Sequence, residues 1–575
     1  MQTSFSQLRK NLKKDFSGLK PVRVALLGDS ATQFLAQALR GAGFDARLDL
    51  QVWEADFNQI ERQVFDPGAE LYQHQPQIII LFYSTHKLLG QYNKLDPAHQ
   101  ANFGQNHLSK LQEIYQTISS QLNSQVILFN YAESTDSVFG HFSNKVASSF
   151  PFQIRQLNTR LMEWASQEPG LFIFDLALIQ AQIGKVQLFH PAVYVNTEMV
   201  ISPDALPNVA IQLVQLIGAM NGQSKKCVIL DLDNTTWGGI IGDDGLENIQ
   251  IGALGIGKAF TEFQYWVKKL KNRGIIVAVC SKNTDSVARE PFEKHPDMVL
   301  RLGDIAVFVA NWENKADNIR HIQQVLNIGF DSMVFLDDNP FERNLVRENL
   351  PDVTVPELPE DPAEYLEYLY SLNLFETISY SEEDAERTKQ YQVEAQRANM
   401  QQRFTNEQEF LESLQMVSVV EPINNFNTPR VAQLSQRSNQ FNLRTVRYTE
   451  ADIARIGTDP DFASFTFTLS DKFGDNGLIC VVLLKKESEK TLFIDTWFMS
   501  CRVLKRTMEN FVINTLVNYA KEQGFEELIG EYIPTAKNAM VQEHYPGLSF
   551  IEDGTNRWKL RVAEYNYRTC FITPK

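Results

Sequence analysis

Short apolar runs alternating with helix-like stretches constrain this chain more than any other feature. In a first segment the runs are VRVALLG (22–28), IIILFYS (78–84), VILFNY (126–131) and LFIFDL (171–176). A second segment repeats the style with CVILDLD (227–233), IIVAVCS (275–281), IAVFVA (305–310) and MVFLDD (333–338). Runs that are apolar at successive positions are buried on both faces, which calls for helices above and below and parallel strands. The third segment differs. Its strands alternate (SFTFTLSD, ICVVLLKK, LFIDTWFMS) and follow two helical stretches; an amphipathic helix over 509–523 and two more strands come next, a mixed α+β pattern. The predicted class is a multidomain α/β protein.

Two polar stretches divide it. GAMNGQSKK (218–226) is small and polar, and the proline-rich, acidic PDVTVPELPEDP (351–362) reads as an extended linker. The expected domains are therefore 1–222, 223–360 and 361–575. A chain of 575 residues allows three or four domains at about 100–200 residues each. No internal repeat and no long low-complexity tract is visible.

Composition excludes several classes. The net charge of −16 disfavours nonspecific binding to nucleic acid or an anionic membrane. The five cysteines are widely spaced with no CxxC pair, so neither a disulfide framework nor a zinc site is expected, and a reducing cytoplasm fits best. The opening MQTSFSQLRKNLKKDF has no apolar core of a secretory signal, and no transmembrane run occurs.

The chemistry concentrates in CVILDLDNTTWGG (227–239), where a buried strand leads into two aspartates spaced i, i+2. Ligands of open α/β sheets bind beyond the carboxyl ends of strands, and alternate residues share a face. Three more features recur at such places: Ser281 in VCSKN, Lys315 opening KADNIRHIQQVL, and Asp337–Asp338 in FLDDN. A lone DxD after a strand is usually only a turn. Four elements in this order supply what phosphoryl transfer needs. One carboxylate attacks phosphorus, a second moves a proton, and a hydroxyl and an ammonium steady the phosphoryl oxygens. Carboxylates plus phosphate oxygens also suit Mg²⁺. GALGIGKA (252–259) mimics a phosphate-binding loop but lacks the Ser/Thr that would hold magnesium, so it reads as a flap and a helix start.

This constellation resembles the haloacid-dehalogenase-like (HAD) hydrolases, with Thr235 completing D-x-D-x-T. The resemblance implies that Asp231 forms an aspartyl-phosphate, that Asp233 is general acid and then base, and that Ser281 and Lys315 hold the phosphoryl group. It assigns Mg²⁺ to Asp231, the carbonyl of Asp233, and an acid of the pair Asp337/Asp338. The gaps between these motifs are already filled by a flap, a helix and a strand. They leave no room for a large cap, which suits a phosphate presented on a macromolecule or covered by a neighbouring domain. The longer stretch DLDNTTWGGIIGDDGLENIQIG, with VCSKN and FLDDNPFER, resembles the FkbH-like proteins. That family implies transfer of a glyceryl unit from 1,3-bisphosphoglycerate to an acyl carrier protein, with loss of phosphate. In that setting Cys280 is a candidate thioester relay whose thiol Lys282 and the metal would acidify. The alternative is a small buried hydrophobe ending a strand.

The flanks carry weaker resemblances. LLGDSAT (26–32) is similar to the first block of SGNH hydrolases, a three-layer α/β fold, with Ser30 at the nucleophile position. The block SPDALPNVA offers Asp204, Pro207 and Asn208 but no histidine; His190 and His86 are possible substitutes. A noncatalytic domain that docks a partner or covers the phosphatase site is expected. The third segment resembles a GNAT-like acyltransferase over 470–482, 497–516 and 532–550. Lys505 and Thr507 replace the two glycines of its pyrophosphate loop. Arg502, Lys505, Arg506 and Asn538 are the candidate residues for a phosphopantetheine arm or coenzyme A, with Tyr545 near the acceptor and Asp471, Asp475 and Cys501 behind them. The polar cluster Arg430, Arg437, Asn439, Gln440 and Asn442 reads as a substrate contact, a domain interface or a solvated helix end.

Overall fold

The computed structural model describes residues 3–134, 136–380, 387–401, 404–535 and 537–575. The chain forms two compact units, Met1–Gly218 and Ala219–Lys575.

In the first unit the strands are β1 (Lys20–Gly28), β2 (Leu48–Glu54), β3 (Ile78–Phe82), β4 (Gln125–Phe129) and β5 (Leu171–Phe174). Among the described residues they make a parallel sheet in the order β2-β1-β3-β4-β5. β3 is buried at all five positions, as a central strand covered on both faces must be. β2 is a strand that the apolar-run pattern passes over. It lies at the sheet edge, and its sequence LDLQVWE alternates rather than running apolar throughout.

In the second unit β6 (Cys227–Leu230), β7 (Ile276–Ser281), β8 (Val307–Ala310) and β9 (Met333–Leu336) form a parallel sheet in the order β8-β7-β6-β9. Side-chain alternation splits its core. Val228, Leu230, Val277 and Val279 face the helix Gly255–Asn272, while Ile229, Ala278 and Phe335 face the helix Lys315–Leu326.

A second sheet in this unit joins β10 (Met416–Ser418), β11 (Val420–Glu421), β12 (Phe462–Asp471), β13 (Gly474–Lys486), β14 (Thr491–Met499), β15 (Glu527–Glu531), β16 (Ile551–Glu552), β17 (Arg557–Arg561) and β18 (Ile572–Pro574). It is mixed: β12-β13-β14 run antiparallel, and β14 pairs in parallel with β15. Helix Met508–Glu522 packs its apolar side into this core.

The larger sheet meets the smaller one at the amino ends of its strands. Lys226, just before β6, donates to the Arg437 carbonyl at 2.8 Å, and Lys537 pairs with Asp331, just before β9, at 2.5 Å. Asn439 donates to the Gly222 carbonyl at 2.9 Å. The polar stretch around Arg437 and Asn439 thus contacts the chain leading into the smaller sheet, which fits the domain-interface reading among the three. The carboxyl ends of β6, β7 and β9 lie at the other end of that sheet.

Candidate functional site

Strand register assembles the site. Leu230 pairs with Leu336, and the Asp231 amide donates to the Leu336 carbonyl at 2.9 Å. The next residues on both strands are therefore Asp231 and Asp337, side by side as they leave the sheet. Lys315 is delivered by its helix, which Asn314 caps by accepting from the Ala316 amide. Its ammonium lies 2.9 Å from Asp231 Oδ2 and 2.6 Å from Asp337 Oδ2. Asn339 caps the following helix, with Pro340 at its first position, and its amide donates to Asp337 Oδ1 at 2.8 Å. Asp338 is tied to Thr235, whose hydroxyl donates to Oδ1 at 3.2 Å and accepts from the Asp338 amide at 3.0 Å. Arg343, a residue the motif pattern does not single out, holds the turn by donating to the carbonyls of Asp337 and Asp338.

Carboxylate oxygens of Asp231, Asp337 and Asp338 all lie within 4.8 Å of one another. Three acids against one ammonium leave a negative excess in a largely buried place, the condition that a hard divalent cation relieves. Asp337 is pushed up to about 7, by burial first and by the Asp231 charge second, against the pull of Lys315. Asp338 is raised by burial and then Asp231. Burial alone would lower Lys315, but Asp231 and Asp337 outweigh it and raise the ammonium above its ordinary range.

A pH dependence follows. A folded-state pKa above the unfolded value of about 3.9 gives stability that is complete below that value and lost as pH rises through the folded value. In Mg²⁺-free buffer the stability of Asp337→Asn relative to the parent should therefore increase from about pH 5 to about pH 8. Denaturant titrations across that range measure it; a difference flat with pH contradicts the assignment.

Asp233 stands apart from the three-acid cluster. Its Oδ1 accepts from Trp237 Nε1 at 3.0 Å and the Ile241 amide at 3.1 Å, and its Oδ2 from Asn283 Nδ2 at 3.1 Å. Burial raises its pKa, and the bonds from Ile241 and Trp237 oppose that. Ser281 ends β7, opposite Ala310 of β8. Gly239, at φ +90°, turns the chain into the flap, where Gly238 and Gln250 exchange backbone bonds. Leu254 and Trp312 stand exposed on loops, and Phe341 on the first turn of the helix that begins at Pro340.

Residues 23–218 match the family model described as FkbH, N-terminal domain. A crystal structure from Bacteroides fragilis, the N-terminal part of a protein containing a phosphatase domain and complexed with Mg, is 55% identical. It aligns over 66% of this chain and 100% of that chain, with a TM-score of 0.64. The chain belongs to the FkbH family of phosphatase-domain proteins. No curated protein matches it. Acetyltransferase structures also align with part of this FkbH-family chain. They include the ribosomal-protein-S18-alanine N-acetyltransferase of Escherichia coli (12% identity, 27% of this chain, 99% of that one, TM-score 0.21). Another is the Vibrio cholerae spermidine N-acetyltransferase in complex with CoA and spermine (11% identity, 26% and 97%, TM-score 0.21).

Several residues of the FkbH-family chain lie elsewhere than the sequence suggests. Cys280 is completely buried beneath the charge cluster, its thiol donating to the Lys315 carbonyl at 3.7 Å. Burial drives the thiol well above its ordinary range; Lys315 pulls the other way, and Asp231 and Asp337 add to the rise. Lys282, expected to acidify it, instead pairs with Glu342 at 2.6 Å. Burial and the Lys282–Glu342 pair favour the buried-hydrophobe reading over the relay. Cys280→Ala should keep phosphate release within about twofold and cost about 1 kcal/mol. A selective loss of thioester loading in that variant would restore the relay.

Three of the four proposed cofactor residues, Arg502, Arg506 and Asn538, are engaged within the chain. Arg506 pairs with Glu394 at 2.5 Å and Asp471 at 3.5 Å, and Arg397 pairs with the same Asp471 at 2.8 Å. Arg502 donates to Gln390 and to the Ser500 hydroxyl. Both arginines are spent on fixing helix Arg387–Gln401 to the larger sheet. Lys505 is exposed at φ +63°, and Thr507 is at φ +59°, so the loop keeps left-handed backbone although both glycines are gone. Asn538 is fully buried; it donates to the carbonyls of Asn442 (2.9 Å) and Ile533 (3.0 Å) and accepts from the Thr535 amide (2.7 Å). Its role is to hold residues 441–443, which bridge the gap where β14 and β15 stop pairing after Phe493 and Ile529. Leu443 donates to Trp497, Met499 to Phe441, and Ile533 to Leu443. The chain's own backbone fills that gap. Tyr545 is buried; Asp475 accepts from the Gly477 amide; Cys501 packs on the smaller sheet's core.

In the first unit Ser30 is fully buried beside Asp29, whose carboxyl burial raises to about 6. Asp204 is exposed, and Asn208 accepts from Gln212 at 2.7 Å. His190 caps a helix through Nδ1, and His86 lies against Phe189 and Tyr194.

Proposed function

We propose that this chain removes phosphate, with Mg²⁺, from a phosphorylated three-carbon unit that is delivered to an acyl carrier protein. The observation that carries the phosphoryl-transfer part is the convergence of Asp231, Lys315, Asp337 and Asp338 at the carboxyl ends of adjacent parallel strands. Asp231, one or both of Asp337 and Asp338, and the Asp233 carbonyl would hold the metal; the Mg complex of the B. fragilis relative supports magnesium as that metal. Bound there, Mg²⁺ would neutralise charge on the phosphoryl oxygens.

The protein groups then divide the work. A carboxylate oxygen of Asp231 attacks phosphorus while the ester or anhydride oxygen departs. Asp233 gives that oxygen a proton where it needs one, and later takes a proton from the water that hydrolyses the aspartyl-phosphate. Lys315 and the Ser281 hydroxyl hold the phosphoryl oxygens as charge shifts among them.

The glyceryl unit, its donor 1,3-bisphosphoglycerate and the carrier protein rest on the FkbH-like resemblance of residues 231–252 and 335–343, supported by the FkbH N-terminal domain match. With Ser30 buried and no histidine hydrogen-bonded to it among the described residues, the SGNH-like domain is read as noncatalytic and as a docking element. With Arg502, Arg506 and Asn538 engaged internally, the GNAT-like part is read as a support for the phosphatase sheet. Phosphopantetheine then enters as the carrier's own arm, not as a ligand of Arg502 or Arg506.

The test combines the protein, Mg²⁺, 1,3-bisphosphoglycerate and a holo carrier protein, and weighs the carrier by mass spectrometry. A glyceryl increment with phosphate release is expected. Phosphate release without the increment reduces the function to a capless phosphatase. Stable carrier binding with neither product reduces it to a scaffold.

A further inference from the structure

We propose that Asn283 and Trp237 are positioning residues that fix Asp233 as proton donor to an alkoxide leaving group, so that the phosphate removed is an unactivated alkyl ester. The proposal rests on the phosphoryl-transfer reading above and deepens it.

Asp233 receives three hydrogen bonds from three separate pieces of chain. Trp237 comes from the turn after β6, Ile241 from the flap, and Asn283 from the loop after β7, two residues beyond Ser281. Both carboxylate oxygens are engaged, so neither side-chain torsion is left to rotate. The donors are themselves fixed. Asn283 is 4% exposed, and its Oδ1 accepts from the Thr284 amide at 2.9 Å. A backbone N–H only donates, so the carbonyl end of this side chain must face Thr284 and the NH₂ end must face Asp233. Trp237 is fully buried, with its ring edge-on to Phe292 at 5.8 Å, and indole nitrogen only donates. A carboxylate held this tightly is set up for one directed proton transfer, because misplacement by about 1 Å is costly in rate.

The step balances as follows. Asp231 forms the new O–P bond while the P–O(alkyl) bond breaks, and the departing oxygen takes its proton from Asp233, leaving as the alcohol. Water then attacks phosphorus, gives a proton to Asp233, and releases phosphate from Asp231. An alkoxide is strongly basic and depends on that proton. A p-nitrophenolate is weakly basic and depends on it far less. Loss of the clamp should therefore discriminate between substrates by leaving group.

The experiment uses the full chain with Mg²⁺ and compares glycerol 2-phosphate with p-nitrophenyl phosphate. Asn283→Ala should lower kcat on glycerol 2-phosphate by about 100-fold at nearly constant KM, within the range of general-acid effects. The fall on p-nitrophenyl phosphate should be smaller by about tenfold or more. Asn283→Asp keeps the shape but exchanges the donor for an acceptor and should behave like the alanine variant. Trp237→Phe keeps the ring, removes one donor, and should show the same selectivity to a lesser degree. A thermal shift on adding Mg²⁺ reports folding. Equal losses on the two substrates, a KM effect at constant kcat, or full activity on glycerol 2-phosphate in Asn283→Asp overturns the proposal. So does a parent protein active on p-nitrophenyl phosphate alone. A parent inactive on both overturns the phosphoryl-transfer reading and the proposal with it.

Discussion

Asp231→Asn should reduce phosphate release by about 10⁴-fold or more, the scale of removing a catalytic nucleophile. The amide has the same shape as the carboxylate, so the fold should stay. It is a poor nucleophile, however, and it removes one negative charge from the cluster of three acids. The loss should appear in kcat on p-nitrophenyl phosphate and on alkyl esters alike, because both reactions begin with attack by the same oxygen. That uniform loss separates Asp231 from the positioning residues, whose effect depends on the leaving group. A variant retaining more than about one per cent of parental turnover would contradict the nucleophile assignment.

The second large effect is expected at Lys315. Its side chain is 3% exposed and sits between two carboxylates, Asp231 and Asp337, at 2.9 and 2.6 Å. Lys315→Met keeps the length but leaves those charges buried and facing each other. Breaking a buried pair by removing one partner typically costs about 3–5 kcal/mol. In Mg²⁺-free buffer the variant should lose that much in a urea titration, and added Mg²⁺ should return part of it by supplying the missing positive charge. Phosphate release should fall by about 10²–10³-fold even with Mg²⁺, since one stabilising contact to the phosphoryl oxygens is gone. A stability loss below about 1 kcal/mol would place Lys315 in a wetter, weaker pair than its geometry indicates.

Much of this was legible in the residue string. Fully apolar runs such as IIILF and CVIL mark central parallel strands because both faces of each are covered. Capping residues Asn314 and Asn339 and the helix-starting Pro340 mark where Lys315 and the Asp337–Asp338 turn lie. What the string does not carry is depth and remote partnership. β2 escapes the apolar-run rule because an edge strand needs only one covered face. Cys280 shares its strand face with nothing but core, and strand position alone could not say how far below the opening it lies. Arg502 and Arg506 look available for phosphate until Gln390 and Glu394, more than a hundred residues earlier, fold onto them. Asn283 had no signal of its own. It becomes meaningful only when the loop after β7 brings its amide to Asp233.

The account depends most on a covalent bond at one oxygen. The protein should be mixed with Mg²⁺ and a phosphate ester, quenched in acid during turnover, digested and examined by mass spectrometry. One phosphoryl group should appear on Asp231, labile to hydroxylamine and absent when Mg²⁺ is withheld. Sustained phosphate release with Asp231 unmodified, or with the phosphoryl group on another residue, would contradict it.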